Sequence, residues 1–364
     1  MTGVEGGAEN PSRDVMDATG QDQEHRPHHG EQLEASGTLK KCDFHRSRSI
    51  DDIVRMEQAV NALLPVELTQ LAGGTLRGEL QPLDLGPLQV LRLRFDKPLH
   101  SAGAKPTDRQ LITLDLGAPP RQGVIRSHGE ELPRHAFFGL AGGGEIHLTT
   151  PEHCNLALLS LDRRQFLQWG LDLGFPGLED TLAQGNRQTL DPERFARVQG
   201  CLRRIFNLAE RSPALIHDPR MRDLMARDLV PLLLEALAQQ GHHSQRLARP
   251  PARIELVKAA QRWMADHPTE PITLDALCRQ VAAGRRTLLQ GFREQLGMGP
   301  MAFLKLRRLH GVRRELLAAD PNTTTITELA VRWGFLNPGH FAHDYRMLFG
   351  ELPSSTLEAW GGRG

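Results

Sequence analysis

The sequence predicts an α+β chain in three parts: a β-rich N-terminal region, a helical connector and an all-α C-terminal region. Three observations carry this reading. Short segments of alternating polarity, punctuated by Gly and Pro, run from about Ile50 to Leu161. Two Asp-Pro helix starts follow, at Asp191-Pro192 and Asp218-Pro219. After Ile272, one helical unit is written twice. The expected boundaries are a tail over 1–48, a β-rich domain over 49–165, a connector over 166–250 and a final domain over 251–364.

The tail is rich in Gly, Glu, Asp and His and has almost no periodic apolar residues, so it cannot offset the entropy of ordering and is expected to be disordered. In the β-rich part, Leu91, Leu93 and Phe95 alternate with Arg92 and Arg94, as in a half-buried strand. Further strands are expected at Val66–Leu71, Leu111–Leu116, Glu145–Leu148 and Asn155–Leu161. Gly73-Gly74, Gly86-Pro87, Pro119-Pro120 and Gly142-Gly143-Gly144 separate them. Many short strands between such turns predict a small sandwich or barrel.

In the connector, the first helix places Phe195, Val198, Leu202 and Ile205 on one face. The second carries Leu224, Met225, Leu232, Leu233 and Leu237, and Pro231 is expected to kink it. Two readings stand for this apolar pair: tertiary core over the barrel, or a homodimer contact. Gly241–Pro251 has the composition of a linker.

The duplicated unit dominates the C-terminal part. Its first copy runs Thr273-Leu274-Asp275-Ala276-Leu277, Gly284-Arg285-Arg286-Thr287-Leu288, then Phe292, Leu296, Gly297 and Pro300. Its second runs Thr325-Ile326-Thr327-Glu328-Leu329, Asn337-Pro338-Gly339-His340-Phe341, then Tyr345, Phe349, Gly350 and Pro353. Leu277 to Leu329 is 52 positions and Pro300 to Pro353 is 53, so the register holds with one insertion. Each copy is a short helix, a tight turn and a second helix, which is the outline of a helix-turn-helix. Seven helices are expected, near 253–266, 273–281, 285–296, 301–319, 326–333, 338–349 and 354–360. Thr325 and Glu328 have capping-box spacing, and Asn337-Pro338 is a cap followed by a first-turn proline.

Formal net charge is zero, yet nine Lys or Arg against the single acid Glu294 lie between Arg279 and Arg314. A neutral chain that gathers positive charge there has an electrostatic footprint for phosphate; a solvated helix face is the plainer alternative. The four cysteines (Cys42, Cys154, Cys201, Cys278) are scattered, which argues against a zinc ribbon or a disulfide framework and fits a reducing compartment. No apolar run approaches a membrane span and the N-terminus is not signal-like, so a cytoplasmic chain without a membrane partner is expected.

Phe303-Leu304, Arg308-Leu309, Leu316, Ile326, Glu328-Leu329-Ala330, Gly334-Phe335, Phe341, Tyr345-Arg346, Gly350 and Pro353 together resemble the C-terminal domain of the AraC/XylS family of transcriptional regulators. The resemblance covers about 100 residues, from near Ile254 to Leu357. It implies two helix-turn-helix units joined by the helix near 301–319, with helices 285–296 and 338–349 entering consecutive major-groove segments. It also implies an N-terminal β-barrel, cupin-like, that senses an effector. Helical spacing buries Leu288, Phe292 and Leu296 in the first reading helix, leaving Arg285, Arg286, Leu289 and Gln290 outward. Arg286 can contact guanine, Gln290 adenine and Leu289 a thymine methyl. The second reading helix buries Phe341, Tyr345 and Phe349 and exposes Gly339, His340 and His343. The family often has Ser and Arg in place of Gly339 and His343, so specificity is expected mainly around Arg286 and Gln290, with the second unit holding backbone. Lys305 and Arg307 are candidate phosphate contacts; Arg308 fits either phosphate or an internal partner.

Double-stranded operator DNA is the expected partner, with RNA polymerase added for an activator and a small-molecule effector at the β domain. His128, His135, His147 and His153 are dispersed and lack a His-x-His pair, and neither a phosphate loop nor a serine-nucleophile elbow occurs. No metal, cofactor or catalytic residue is therefore expected. The alternative is an enzymatic, cupin-like β domain fused to a DNA-binding module.

Overall fold

The central N-terminal strands, Leu88–Phe95 and Cys154–Asp162, are buried on both faces. That requires a covering layer on each side, and it sets the architecture of this computed structural model, which describes residues 47–117, 123–183, 185–238 and 252–361. The expected tail up to residue 46, including His28-His29 and Cys42, lies outside the described residues, as does the linker over 241–251. The described part opens with β1 (Arg48–Ile50), α1 (Ile53–Asn61), β2 (Val66–Gln70), β3 (Gly78–Asp84), β4 (Leu88–Phe95), β5 (Leu99–Ala104) and β6 (Arg109–Asp115). It continues with β7 (Arg126–Ser127), β8 (Glu130–Glu131), β9 (Ala136–Phe138), β10 (Glu145–Thr150) and β11 (Cys154–Asp162).

Connector and C-terminal elements follow as α2 (Arg163–Asp172), α3 (Leu178–Ala183), β12 (Arg187–Thr189), α4 (Pro192–Arg211), α5 (Pro213–His217) and α6 (Pro219–Ala238). The last are α7 (Ala252–Asp266), α8 (Leu274–Gln280), α9 (Arg285–Leu296), α10 (Pro300–Ala318), α11 (Ile326–Arg332), α12 (Pro338–Phe349) and α13 (Pro353–Gly361). All seven expected C-terminal helices are present, with ends shifted by at most one residue.

The strands form two antiparallel sheets rather than one closed barrel: a seven-stranded sheet in the order β1-β3-β4-β11-β6-β9-β12 and a five-stranded one in the order β2-β5-β10-β7-β8. The period-2 rule explains the double burial. In β11, Ala157, Leu159 and Leu161 face a core shared with the connector helices, whereas Leu156 and Leu158 face the opposite way. Strand β4 divides likewise, with Leu88 and Val90 on the connector side and Leu91, Leu93 and Phe95 on the other. The half-buried reading of β4 thus gives way to burial on both faces. Arg92 is covered too, with its guanidinium 5.4 Å from the Phe206 ring of α4.

Connector helix α4 starts at the Asp191 cap, whose carboxylate accepts from the backbone of Glu193 and Arg194, and buries Phe195, Val198, Leu202 and Ile205 as its spacing predicts. Helix α6 runs through Pro231 without ending. Leu224, expected on its buried face, is 55% exposed. Within this chain the connector is tertiary core over the large sheet.

The other side of that sheet does not end at the β region. Its core continues from α1, β2 and β4 into Leu309, Val312, Leu316, Leu329, Phe341, Tyr345 and Phe349 of the C-terminal helices. The first helical unit has a core of its own, built from Val257, Leu277, Leu288, Phe292, Leu296 and Phe303. All the described residues belong to one compact unit.

Three small residues set the geometry of the helical units. Gly311 sits within α10, where an added Cβ would lie 2.1 Å from the Trp333 ring. Trp333 is anchored by its Nε1–H, which donates to Glu315 at 2.8 Å. The turn of the second unit uses Gly334 at φ +83°; its counterpart 52 positions earlier is Ala282, held at φ +49°. Positions 311 and 282 should respond oppositely to exchange. Ala normally favours a helix interior by roughly 0.5–1 kcal/mol over Gly, but at 311 overpacking of about 1–3 kcal/mol wins. Gly311→Ala should therefore lower the urea midpoint and alter Trp fluorescence. Ala282→Gly should raise the midpoint, because relief of a left-handed penalty of about 1–2 kcal/mol exceeds the added chain entropy. A stabilised Gly311→Ala variant would contradict the packing account.

Candidate nucleic-acid interface

Helix α9 begins at Gly284, which offers no side-chain cap, and ends at Gly297 with φ +73°. Its docking face is the expected one: Leu288, Phe292 and Leu296 are buried. Gly291 lets α9 approach α7 closely, since an added Cβ would lie 3.0 Å from Val257 Cγ2. Arg285, Arg286 and Gln290 are exposed, and Leu289 is half-buried. Their states differ. Arg285 forms a two-pronged pair with Asp275 of α8, at 2.6 and 2.5 Å, which holds the Asp275 carboxyl below its usual range. Gln290 donates to Glu294 at 3.0 Å, and Glu294 also receives Arg253 at 2.5 Å. Arg286 is exposed and has no ion pair among the described residues. It is the unpaired cation of the helix's first turn; Arg293, in the last turn, is likewise exposed and without an ion pair among the described residues.

Helix α12 buries Phe341, Tyr345 and Phe349 and leaves Gly339, His340, His343 and Arg346 exposed. Asn337 caps it by accepting from the His340 N–H at 3.0 Å. Capping is divided between the repeats. Thr273 caps the leading helix α8 of the first unit, whereas Thr325, expected in a capping box, makes no side-chain cap bond to α11. Lys305 is exposed but paired with Asp344 of α12 at 2.5 Å, so it ties the linking helix to the second reading helix.

The basic cluster does not form one phosphate footprint. Arg307, expected at phosphate, turns into the junction with the β region: it donates to Glu67 at 2.6 Å and to the Gln261 carbonyl at 3.0 Å. Arg308 donates to the Pro268 and Glu270 carbonyls, an internal role. Arg314 makes a two-pronged pair with Glu57, 2.9 Å on each arm. Arg313 is only 5% exposed and reaches Asp52, Glu351 and Tyr345. Burial alone would lower its pKa, but the surrounding Tyr345, Asp52 and Glu351 outweigh that and raise it. Cations buried in this way need partners more than they can offer charge to DNA. Their acidic partners Asp52, Glu57 and Glu67 lie some 240 to 260 positions away in sequence, where no local pattern marks them.

The junction also contains a cavity of about 260 Å³ between β2, β5 and β10 on one side and α7 and α10 on the other. Glu67, His100, His147, Lys258, Gln261 and Arg307 line it, with Phe303 as an apolar wall. Gln261 of α7 bridges two strands: its amide donates to His100 Nε2 at 3.1 Å, and its carbonyl accepts from His147 Nε2 at 2.8 Å. Burial pushes the His147 pKa down to about 4 and holds His100 well below its usual value. On α10, His310 Nε2 accepts from the Gln70 N–H at 3.0 Å, and burial lowers its pKa to about 3. Among the described residues, no group of three or more His, Cys, Asp or Glu could hold a metal ion, and no helix is long and apolar enough to cross a membrane.

Residues 277–359 match the family described as "Helix-turn-helix domain". The probable thc operon regulatory protein of Rhodococcus erythropolis is 38% identical over 145 residues, 40% of this chain and 43% of that protein. The XylDLEGF operon transcriptional activator 3 of Pseudomonas putida is 33% identical over 96 residues, 26% of this chain and 29% of that protein. This chain thus spans less than half the length of either curated relative. Among solved structures, a probable AraC family transcriptional regulator from Rhodopseudomonas palustris is 36% identical, covering 29% of this chain and 97% of that one, with a TM-score of 0.27.

The buried histidines make the junction acid-sensitive, and the sign follows from their depressed pKa values. Unfolded His titrates near 6.5, so each contributes its full stability above that pH and loses it as pH falls toward about 4 for His147 and about 3 for His310. The melting temperature of the wild type should fall more steeply between pH 6.5 and 4.5 than that of His310→Gln. Parallel slopes would show that His310 is not coupled to folding.

Proposed function

We propose that this chain, whose C-terminal region belongs to the AraC/XylS-type helix-turn-helix domains, is a DNA-binding transcriptional regulator and not an enzyme. It reads operator DNA through α9 and α12. The observation that carries this reading is the duplicated unit itself: two reading helices, each docked by an apolar face, each keeping a polar face in solvent. Base readout is assigned to Arg285, Arg286, Leu289 and Gln290 in the first unit, with Arg286 foremost because its guanidinium is uncommitted. Arg285 would exchange Asp275 for DNA, which an exposed ion pair allows. Gly339, His340 and His343 carry the second contact, whose chemistry suits backbone and shape more than bidentate base reading. Lys305 is a phosphate contact in this reading only when it leaves Asp344.

The proposal extends to a small polar effector bound in the junction cavity, whose volume of about 260 Å³ lies just under the range typical of ligand pockets. It extends also to a cytoplasmic setting, to RNA polymerase as the partner of an activator, and to a homodimer through the connector edge that exposes Leu215 and Leu224.

Selection of bound sequences from random DNA by the full chain, followed by gel shifts, tests the reading. Arg286→Ala and Gln290→Ala should each weaken specific binding by about 1–3 kcal/mol and largely spare non-specific binding. Equal losses on random DNA would remove the base-reading role. A wild-type chain that enriches no sequence and shows no salt-dependent shift would remove the function.

A further inference from the structure

The two reading helices are held by different parts of the molecule. The first unit packs on a core of its own, bordered by Leu71, and meets the β region through α7, whose Gln261 bonds to His100 and His147. The second reading helix is gripped at its C-terminal end by the loop that follows β2. An α-helix leaves its last carbonyls without intrahelical partners. In α12, three of these are taken by the N-terminal half: Gly74 N–H donates to the Met347 carbonyl at 2.9 Å, Gln70 Nε2 to that of Leu348 at 3.0 Å, and Thr75 Oγ1 to that of Phe349 at 3.3 Å. The loop is itself pinned, because Gln70 Nε2 also donates to the Ala72 and Gly74 carbonyls at 2.7 Å each. Approach is close enough to exclude side chains, since an added Cβ on Gly73 would lie 2.6 Å from the Met347 oxygen.

A second attachment comes from α1. One oxygen of Asp52 caps α1 by accepting from Val54 and Arg55, and the other receives Arg313 Nε at 2.7 Å. The same guanidinium donates to the Tyr345 hydroxyl of α12 at 3.1 Å, and Tyr345 donates to Thr356 of α13 at 2.9 Å. Asp52 thus fixes, through Arg313, both the docking face of α12 and the helix behind it.

We infer that Asp52, Gln70 and Thr75, all in the β-rich half, are positioning residues for the second reading helix: they set where α12 meets DNA, while none of the three hydrogen-bonds to α9. Resting on the DNA-binding reading above, the inference makes the second contact the one set by the loop after β2 and the start of α1. Strand β2 supports that direction, because Glu67 and Thr69 line the junction cavity and Gln70 is the next residue along the chain.

Hydroxyl-radical footprinting of the full chain on its selected operator, with circular dichroism to check folding, tests this. The wild type should protect two adjacent segments. Asp52→Asn should weaken protection of one segment at least 10-fold and leave the other within about 2-fold. Thr75→Val, an exposed and nearly isosteric change, should weaken the same segment about 3-fold, and Thr75→Ser should restore it. Equal loss at both segments, or no loss in a folded Asp52→Asn variant, overturns the inference. Should Asp52→Asn fail to fold, the Thr75 pair decides: a Thr75→Val footprint identical to wild type overturns it. A wild type that protects no DNA would instead sink the DNA-binding reading.

Discussion

One buried guanidinium holds the architecture together. Arg313 lies within α10, almost wholly removed from water, and its donors are shared among the cap of α1, α12 and the turn between α12 and α13 through Asp52, Tyr345 and Glu351. A charge so placed cannot tolerate loss of a partner: uncompensated, it costs about 3–5 kcal/mol. The aromatic faces of Tyr345 and Phe349 add cation–π contact, with the Phe349 ring centroid 4.5 Å from the guanidinium carbon. Linking helix, second reading helix and N-terminal helix are therefore constrained to one arrangement. Arg314 with Glu57 and Arg307 with Glu67 extend the same pattern along α10. The helix that joins the two helix-turn-helix units is thus also the main attachment of the β region.

This explains why a duplicated sequence does not give duplicated surroundings. Both copies have an apolar docking face, a left-handed glycine after the reading helix and a proline three positions later. Yet the first unit closes over its own apolar residues, whereas the second shares a core with β2, β4 and α1. Burial spreads continuously where apolar faces meet, and the face of the large sheet opposite the connector meets the second unit. The turn residues differ as well, Ala282 against Gly334, so the first unit stores strain that the second avoids. The second copy is the one tied by its last carbonyls to the loop after β2.

The C-terminal helices were legible because their signals are local. Apolar spacing of 3.6, an Asn-Pro cap and a Gly-x-x-Pro terminus act within a few residues, and the observed ends differ from the expected ones by at most one. Strands β4, β6, β10 and β11 were legible for the same reason. Helix α1 and strands β3 and β5 were not. Pro82 interrupts β3 and Gly103 lies in β5; both residues weaken a strand pattern, and pairing with neighbours fixes these strands despite them. Leu224 shows the limit of a helical wheel, since spacing names an apolar stripe but not which part of it will find a neighbour.

The sequence by itself therefore determined the repeat, the second helix of each unit and its buried face, because each depends on backbone geometry over a turn or two. Only the tertiary structure decided what the basic cluster does. Read along the chain, Arg307, Arg313 and Arg314 look like cations offered to phosphate. In the fold they meet Glu67, Asp52 and Glu57 across some 240 to 260 residues. Charge density in a sequence is a local quantity, but charge available to a partner depends on which carboxylates the chain brings back to it.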